Sequence, residues 1–273
     1  MRLLWLPWEK PERDGSSALW TLRDVLADEA EKTRYKIRGG NDRLPRAFAD
    51  ALGPRVFYST PVSRIAHYHG DVVVEVGDRM FRAHYAVVAV SMPALRRIRF
   101  QPELSTAKRA AIDSLRYDSV VRTYHQFSQR PWERDGWCGF ATTDHPDDIW
   151  HPTHDQPGPG GILMSYMLGS RARDAARSPA RVHQARVLAR MGRAFAGLPR
   201  PQSSHTIDWD KEPWIWGPYA FQAPGQILGL NQAASAPEGR IHFAGEHLSS
   251  RPSWMQGALE SGLRAAEMIA KLR

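Results

Sequence analysis

The sequence predicts a mixed α/β and α+β fold, in which one layer is built from two distant segments of the chain. A nearly continuous apolar run at residues 85–90 is typical of a strand covered on both faces, as in a parallel sheet. A second apolar strand at residues 240–244 leads through a Gly-Glu turn into a long helix that begins near Trp254. Because residues 96–236 carry helices and strands of their own, we expect them to form an inserted domain.

The domain boundaries follow from these segments. Residues 39–95 and 237–273 would form the layer that contains the two apolar strands. Residues 1–38 and 96–236 would form the second domain. The layer is therefore expected to be discontinuous in sequence.

The N-terminal third is expected to contain two helices and a small antiparallel meander. Helical spacing predicts a helix at residues 16–32, with an apolar face formed by Leu19, Leu22, Val25, Leu26 and Ala30. A shorter helix is predicted at residues 43–52 and is ended by a Gly-Pro pair. Strand-like segments follow at residues 56–59, 62–68, 72–76 and 80–83, separated by Gly-Asp pairs.

The inserted stretch is expected to combine strands with helices. Helices are predicted at residues 104–115 and 180–196, and strands at 119–127, 161–167 and 205–208. The loop at residues 144–160 is rich in His, Pro, Asp and Gly and is expected to be exposed. Most of a later aromatic group is expected to be core, namely Trp209, Trp214, Trp216, Tyr219 and Phe221. The closing helix carries one largely apolar face, formed by Met255, Ala258, Leu259, Gly262 and Ala266.

The composition is that of an ordinary globular protein. The chain has 273 residues, of which 42% are hydrophobic and 24% charged, enough for a full core in one or two domains. No apolar run approaches the roughly 18 residues that span a bilayer, and no export signal is visible, so we expect no membrane partner. The single cysteine, Cys138, rules out an internal disulfide and favours a reducing, cytoplasmic compartment.

The formal net charge of +8 has three explanations. It could serve nucleic-acid binding, attract an anionic cofactor or substrate, or reflect only an arginine-rich composition. Because the arginines are scattered and form no basic run, we predict no nucleic-acid partner. We also predict no metal site, because the histidines accompany no cysteine spacing typical of zinc. The histidines considered are His67, His69, His84, His145, His151 and His154.

The residues with the clearest chemistry lie near the C-terminus. A helix N-terminus carries unpaired N–H groups and roughly half a positive charge, which can hold a carbonyl or phosphate oxygen. Glu246 directly follows the apolar strand and could accept hydrogen bonds from ligand hydroxyls. Gly257 and Ala258 in the first helical turn would let a flat ring approach closely. The alternative is an ordinary strand, loop and helix with a surface glutamate, and spacing alone leaves both interpretations open.

The same residues resemble the flavin-containing amine oxidase family, which includes monoamine oxidases, polyamine oxidases and L-amino acid oxidases. The resemblance is carried by Gly-Arg-Ile-His-Phe-Ala-Gly-Glu-His at residues 239–247 and Trp-Met-Gln-Gly-Ala-Leu-Glu-Ser-Gly at residues 254–262. Similar segments are Tyr-Ala-Val-Val-Ala-Val-Ser-Met-Pro at 85–93 and Trp-Gly-Pro-Tyr-Ala-Phe-Gln-Ala-Pro-Gly at 216–225. The implied fold is a partial FAD-binding layer of the glutathione-reductase type with an inserted substrate domain of mixed sheet and helices.

The resemblance implies cofactor contacts for particular residues. Glu246 would bind the ribityl or diphosphate part of FAD, and the backbone N–H of Met255 would reach the flavin C2 carbonyl. The helix dipole would then stabilise negative charge on the flavin. Val62 would contact the adenine end through its backbone. The complete implied set is Val62, Gly245, Glu246, Trp254, Met255, Gln256 and Ala258.

The resemblance also implies three catalytic residues. Tyr219 and Trp254 would be the two nearly parallel rings beside the flavin, between which the substrate amine passes. Some members attach FAD through a cysteine just before this tyrosine; Pro218 occupies that position, so FAD is expected to bind non-covalently. Arg122 matches a lysine that holds a water near the flavin. It could pair with an anionic substrate, could lie beside the true matching position, or could be a surface strand residue.

The implied reaction is FAD-dependent oxidation of an amine or L-amino acid to the imine, with O2 as electron acceptor and H2O2 as product. The motifs are closer to bacterial L-amino acid oxidases than to monoamine oxidases. The glycine-rich FAD fingerprint of the family is not seen before Gly39. We therefore expect a truncated fragment, a subunit whose partner chain supplies the pyrophosphate loop, or a non-catalytic binding protein. The chain alone is expected to bind FAD weakly and to be poorly soluble.

Overall fold

The computed structural model describes residues 15–20, 22–23, 26, 35–68, 70–134, 136–143 and 148–272. The chain divides into two compact units, which are described separately. The central unit contains Tyr117–Pro218, and the flanking unit contains Ser17–Arg116 and Tyr219–Arg273.

Both units contain helices and strands, which form the mixed α/β fold class that the sequence predicts. The helices of the described residues are α1 (Arg43–Leu52), α2 (Met92–Leu95), α3 (Thr106–Ser114), α4 (Pro131–Arg134), α5 (Gly169–Ala175), α6 (Ala180–Ala194), α7 (Gln226–Ser235) and α8 (Met255–Ala270). Short 3-10 helices lie at Gly53–Arg55 and Glu246–Leu248. The strands are β1 (Arg64–Tyr68), β2 (Asp71–Val76), β3 (Arg79–Ala83), β4 (Ala86–Val88), β5 (Arg99–Gln101), β6 (Arg116–Tyr117), β7 (Val120–Phe127), β8 (Ala141–Thr142), β9 (Asp148–Trp150), β10 (Gly161–Leu168), β11 (Ser203–Asp208), β12 (Ala220–Phe221) and β13 (Ile241–Phe243).

The flanking unit contains a four-stranded sheet in the order β3-β2-β1-β5. β1, β2 and β3 are antiparallel, and the turns between them contain Gly70 and Gly77 at φ 95° and 55°, which suits glycine. This confirms the predicted meander. β5 joins β1 in parallel and was not predicted. The predicted strand at residues 56–59 is wrong, because Ser59 has a φ of 52°, which interrupts an extended backbone.

The two apolar segments that predicted the layer do pair with each other. β4 and β13 are parallel, with Ala86 opposite Ile241 and Val88 opposite Phe243. Every residue of β13 is buried. On β4, Val88 is 6% exposed but Val87 is 44% exposed. Because side chains alternate between the faces of a strand, the expectation that β4 is covered on both faces is wrong for this chain.

α8 buries a different face from the one predicted. Its buried residues are Gly257, Ser261 and Ala265, which recur every four residues. The predicted apolar face is exposed, with Met255 at 43% and Leu259 at 48%. Small side chains let the helix backbone approach its neighbours closely, and hydrophobicity alone does not reveal that.

A buried lysine holds the C-terminal end of α7, a helix that was not predicted. Lys108 of α3 is 1% exposed, and its Nζ donates hydrogen bonds to the carbonyl oxygens of Ala234 at 2.6 Å and Ala236 at 2.5 Å. The same Nζ lies 3.9 Å from the centre of the Phe243 ring. Carbonyls at a helix end and an aromatic face both favour a cation. Burial nevertheless lowers the pKa of Lys108 to about 8, against the opposing charge of Glu238.

The central unit is built on a five-stranded sheet in the order β11-β7-β10-β9-β8, with antiparallel neighbours. α6 buries His183, Val187 and Met191, which are four residues apart and so lie on one face. Trp132 is 1% exposed and packs in the same core as Phe127. The predicted strands at 119–127, 161–167 and 205–208 and the helix at 180–196 are confirmed with small shifts of their ends.

The loop expected to be exposed at residues 144–160 is partly buried. It contains β9, and His151 is 0% exposed beside the Trp132 ring, with ring centres 5.2 Å apart. Residues 144–147, including His145, lie outside the described residues. The expectation of exposure is therefore wrong at His151, because a polar loop composition does not show which side chain is packed inward.

The central unit is smaller than the expected inserted domain at residues 96–236. In the flanking unit, the Ser105 hydroxyl donates to the Glu238 carboxylate at 2.6 Å. The Lys108 hydrogen bonds connect α3 to the end of α7 in the same unit. These contacts explain why residues on either side of Tyr117–Pro218 pack with the flanking unit. The assignment of one domain to a cofactor and the other to a substrate stays a prediction.

The predicted helix at residues 16–32 lies largely outside the described residues. Those at 18–20, 22–23 and 26 are helical. Trp20 is 2% exposed, whereas the described leucines of the predicted apolar face are more than half exposed. For these residues, the prediction that this face is buried is therefore wrong. These leucines are Leu19, Leu22 and Leu26. Across the described part of the chain, no helix is both long and apolar enough to cross a membrane.

Replacing Lys108 with methionine should change how stability depends on pH. The pKa is about 8 in the folded chain, against an ordinary value of 10.5, so the unfolded chain binds more protons between these values. The contribution of Lys108 to the free energy of unfolding therefore rises as pH increases through this range. Urea unfolding at pH 7.5 and pH 10 should show wild type gaining about 1–3 kcal/mol over K108M. The exposed Lys271→Met is the control, and a wild-type advantage that falls with pH would contradict the prediction.

Candidate functional site

β13 ends in a turn that needs glycine. Gly245 has a φ of 142°, and a Cβ at this position would collide with the ring of His247. The Gly245 N–H donates to the Ser261 hydroxyl of α8 at 2.9 Å. The turn is therefore fixed on one side by a buried strand and on the other by the closing helix.

Side chains of α8 also hold the loop that precedes it. Arg264 Nη2 donates to the carbonyl oxygen of Leu248 at 2.7 Å. The Glu260 carboxylate accepts hydrogen bonds from the Ser250 hydroxyl at 2.8 Å and from its amide at 3.3 Å. The helix thus determines the path of the loop that leads into it.

This loop lies so close to α8 that the first helical turn also needs glycine. A Cβ at Gly257 would collide with the carbonyl of Arg251 and the hydroxyl of Ser249. The sequence predicts that Gly257 lets a flat ring approach. In the structure, the group that approaches Gly257 is the loop itself.

Glu246 joins two backbone segments through its carboxylate. Oε1 accepts a hydrogen bond from the amide of Ala220 at 3.0 Å, and Oε2 accepts one from the amide of Ser253 at 2.5 Å. Burial raises the pKa of Glu246, while these amides and the charge of Arg23 oppose the rise. The alternative of an ordinary surface glutamate is therefore wrong. Whether Glu246 also touches a ligand stays a prediction, and each carboxylate oxygen keeps a further lone pair for one.

The Glu246 bridge brings the segments of the two predicted catalytic aromatics together. Tyr219 directly precedes Ala220, and Trp254 directly follows Ser253. The Ser253 hydroxyl also donates to the carbonyl of Ala220 at 3.4 Å. Tyr219 is partly buried and Trp254 is 41% exposed. Their role beside a flavin stays a prediction.

The aromatic stretch around residue 216 is not the core that was expected. Trp214 is 65% exposed, and its ring meets that of Trp216 edge-on at 6.1 Å. Trp209, Trp216 and Phe221 are only partly buried. Both Trp214 and Trp216 have positive φ angles, of 73° and 50°, which are uncommon for residues with a side chain.

The first turn of α8 is open at the other predicted cofactor contacts. Met255, Gln256 and Ala258 are exposed. In the described chain, Trp254 is the N-cap residue and its side chain makes no capping hydrogen bond to the helix. No side chain at the N-cap therefore neutralises the partial positive charge of this helix end.

Val62, the predicted adenine contact, lies two residues before β1 and is partly buried. Hydrogen bonds fix its neighbour: the Ser63 N–H donates to Glu75 at 3.0 Å, and the Ser63 carbonyl accepts from the Arg99 N–H at 3.1 Å. The backbone here is held between two strands. Its contact with a cofactor stays a prediction.

Arg122 lies in the central unit, on an aromatic face of the five-stranded sheet. Its guanidinium is 4.7 Å from the centre of the Tyr166 ring and 5.9 Å from that of Trp209. Tyr166 is itself stacked on Trp150, at 5.1 Å between ring centres. Burial opposes the charge, but Tyr166 and Tyr124 raise the pKa of Arg122. This is not the environment of a solvated surface arginine, while its role towards a substrate stays a prediction.

Three residues that shape this site were not predicted from the sequence. His247 is 6% exposed, and burial lowers its pKa to about 4, so it packs as a neutral ring against Gly245. Ser261 is 0% exposed and binds the Gly245 amide, and Ser253 donates its own amide to Glu246. The four-residue spacing of small residues on α8 was the available signal for Ser261.

The histidines considered for metal binding do not gather at this site. His84 pairs with Asp71 at 3.1 Å, and His151 lies in the core of the central unit. His69 and His145 lie outside the described residues. Within the described ranges, no group of three or more His, Cys, Asp or Glu side chains could hold a metal ion.

The fold and the site together define a mixed α/β protein in which a buried strand is followed by a turn that carries Glu246 and then by a long helix with an exposed first turn. The chain belongs to the flavin containing amine oxidoreductase family, whose model matches residues 3–270. This confirms the resemblance that the terminal motifs indicated.

The similarity to individual relatives and solved structures is consistent with this family. The L-amino-acid oxidase of Siganus canaliculatus is 30% identical over 277 residues, which cover 92% of this chain and 51% of that protein. The L-amino-acid oxidase of Pseudechis australis is 30% identical, covering 94% and 52%. The solved structure of cyclohexylamine oxidase from Brevibacterium oxydans IH-35A matches with a TM-score of 0.79 and 27% identity, over 85% of this chain and 53% of that one. The chain therefore spans about half the length of the curated relatives it matches.

The residues of the turn fit the flavin that the family implies. The uncapped first turn of α8 is exposed at Met255 and Ala258, which leaves room for a flat ring. The Glu246 carboxylate accepts the amides of Ala220 and Ser253 and has further lone pairs for a ligand hydroxyl. The N–H groups of the helix would be donors to the electron-rich flavin ring, and the carboxylate would be an acceptor for the hydroxyl groups of its chain.

Two glycines of α8 should respond in opposite ways to alanine. Gly257→Ala would force the loop at Arg251 away from the helix and should lower the free energy of unfolding by about 1–3 kcal/mol. Gly262→Ala is the matched control, because a Cβ there meets nothing within 4 Å. It should stabilise the chain by about 0.5–1 kcal/mol through reduced backbone freedom. Urea unfolding measures both values, and equal effects would contradict the close approach at Gly257.

Proposed function

We propose that this chain carries the flavin-facing part of an FAD-dependent oxidase that converts an L-amino acid or amine to the imine. The Glu246 bridge carries the proposal, because it joins the segments of Tyr219 and Trp254 to the start of α8. Membership of the flavin family supports the cofactor. The L-amino-acid oxidases among the relatives favour an amino acid, and the similarity to cyclohexylamine oxidase is the argument for an amine.

Each part of the site has a role in this proposal. Bound flavin would supply the acceptor for the hydride equivalent removed from the carbon next to the amine. The N–H groups at the start of α8 would face its electron-rich edge and stabilise negative charge there. Tyr219 and Trp254 would orient the amine between two aromatic surfaces. The binding would be non-covalent because Pro218 stands at the cysteine position, and O2 would accept the electrons to give H2O2.

Arg122 has a separate role in the proposal. Its guanidinium is always charged and lies 4.7 Å from the centre of the Tyr166 ring, and a planar guanidinium can pair with a carboxylate. We therefore assign it to the recognition of an anionic substrate. This assignment favours an amino acid over an amine.

The second candidate is a flavoprotein part that depends on another chain or segment. Exposed apolar residues on α8 and β4 favour this candidate, with Leu263 at 63% and Val87 at 44%. Burial of such surface by a partner would also complete a cofactor site. A cytoplasmic location belongs to both candidates and rests on the single thiol, Cys138.

A cofactor and substrate test separates the two candidates. The purified chain is titrated with FAD, and the quenching of flavin fluorescence is followed. L-amino acids and primary amines are then added, and H2O2 is measured. The oxidase predicts peroxide with amino acids, and Trp254→Ala should lower its rate about 10- to 100-fold because the substrate loses its orientation.

Trp214→Ala, which removes an exposed ring of the central unit, is the control and should leave the rate unchanged. No FAD binding by the chain would favour the partner-dependent candidate. Saturated FAD binding without peroxide would contradict the oxidase.

Replacing Arg122 should discriminate between substrates. If the guanidinium binds a carboxylate, Arg122→Met should raise KM for L-amino acids about tenfold or more, since a charge-assisted pair is lost. The KM for amines should change less than about twofold, because they have no carboxylate. Steady-state peroxide assays on both substrate classes measure this difference. Equal changes in both classes would instead assign Arg122 to the structure of the aromatic face.

A further inference from the structure

Glu246 makes two contacts of the same kind to two different segments. Its Oε1 and Oε2 each accept a backbone N–H, from Ala220 at 3.0 Å and from Ser253 at 2.5 Å. A carboxylate offers acceptors only, so both oxygens can serve amides at once. The Ser253 hydroxyl also donates a hydrogen bond to the Ala220 carbonyl at 3.4 Å, so the two segments are linked directly as well as through Glu246.

These amides belong to the peptide groups next to the two aromatics. The Ala220 N–H lies in the same planar peptide as the carbonyl of Tyr219, so holding it fixes the exit of the chain from Tyr219. Ser253 is the residue before Trp254, and its φ of 69° is unfavourable for a residue with a side chain. The hydrogen bond from its amide to Glu246 helps to hold this conformation. The direction in which the chain enters Trp254 therefore depends on the same carboxylate.

The chemistry of the side chain matters as well as its position. Glutamine has one acceptor oxygen and one NH2 group, so it would satisfy one amide and oppose the other. Aspartate keeps the charge but is one methylene shorter, so it cannot reach both segments without moving one of them. Only glutamate combines two acceptors with this reach.

We propose that Glu246 is a positioning residue, which fixes the spacing between the backbone segments that carry Tyr219 and Trp254. The catalytic meaning of this spacing rests on the proposed oxidase function. The spacing itself does not, because the contacts lie within the chain and need no cofactor. A role for Glu246 towards FAD would be additional.

The first test uses the unaltered chain. Hydrogen exchange of single amides is measured by NMR. The amides of Ala220 and Ser253 should exchange at least about tenfold more slowly than in an unstructured peptide, because each donates a hydrogen bond to a charged group. Exchange of both amides at the unprotected rate would overturn the proposal. This measurement does not depend on whether any variant folds.

The second test uses two glutamates that both accept hydrogen bonds from the loop before α8. Glu246→Gln and Glu246→Asp should each speed exchange about tenfold or more at one or both of Ala220 and Ser253. Glu260→Gln is the control, because Glu260 holds Ser250 and should affect exchange there instead. Unchanged melting temperature and unchanged exchange in the core strands would separate positioning from a general loss of stability. Wild-type exchange at both amides in either Glu246 variant would overturn the proposal.

A spectroscopic signal reports on the aromatic ring itself. In the chain labelled with 5-fluorotryptophan, the resonance of Trp254 is assigned by its loss in Trp254→Phe. Glu246→Gln should shift or broaden this resonance, while Glu260→Gln should leave it in place. An unmoved Trp254 resonance in Glu246→Gln would overturn the proposal.

Kinetic measurements on the FAD-loaded chain test whether the spacing between the Tyr219 and Trp254 segments affects the reaction rate. Glu246→Asp should lower kcat about 10- to 100-fold, since a misplaced aromatic pair disorients the substrate. Wild-type kcat in a variant whose amides exchange fast would overturn the catalytic meaning of the spacing. If the loaded wild-type chain forms no H2O2, the oxidase function fails, and the exchange and fluorine measurements still decide the positioning role.

Discussion

The site depends on one steric constraint, the close approach of a loop to the first turn of α8. Gly257 leaves no room for a side chain between the helix and the carbonyl of Arg251. Ser261 continues the same small-residue face and binds the amide of Gly245. Because these contacts fix the loop at both ends, the carboxylate of Glu246 has a defined place between two segments. A larger residue at this face would move the helix, the loop and the carboxylate together.

Three buried or partly buried charges in this chain are met by dipoles and aromatic rings. Backbone amides surround the carboxylate of Glu246, backbone carbonyls and the Phe243 ring receive the ammonium of Lys108, and aromatic rings flank the guanidinium of Arg122. Burial of a charge is costly unless such groups compensate for it. Each charged group therefore fixes the position of the backbone or the aromatic rings around it, and a group of this kind can keep the geometry of a site constant.

Much of the fold follows from local signals. The meander was predictable because Gly70 and Gly77 occur where tight turns require positive φ, and the β4–β13 pair because both segments are apolar. Two other expectations failed for a common reason. The apolar faces of α8 and of the helix near Leu19 are exposed, since periodicity identifies a face without showing what covers it. β5 and α7 were missed because non-local pairing and packing stabilise them.

The sequence by itself determined the family, through the residues from Gly239 to the first turns of α8, and it identified Glu246, Tyr219 and Trp254 as the residues to examine. Motifs could do this because they record which residue types follow one another. Only the tertiary structure decided that the Glu246 carboxylate accepts the amides of Ala220 and Ser253. Those two residues are distant or unremarkable in sequence, and a hydrogen bond donated by a backbone N–H leaves no trace in the side chain of the donor residue.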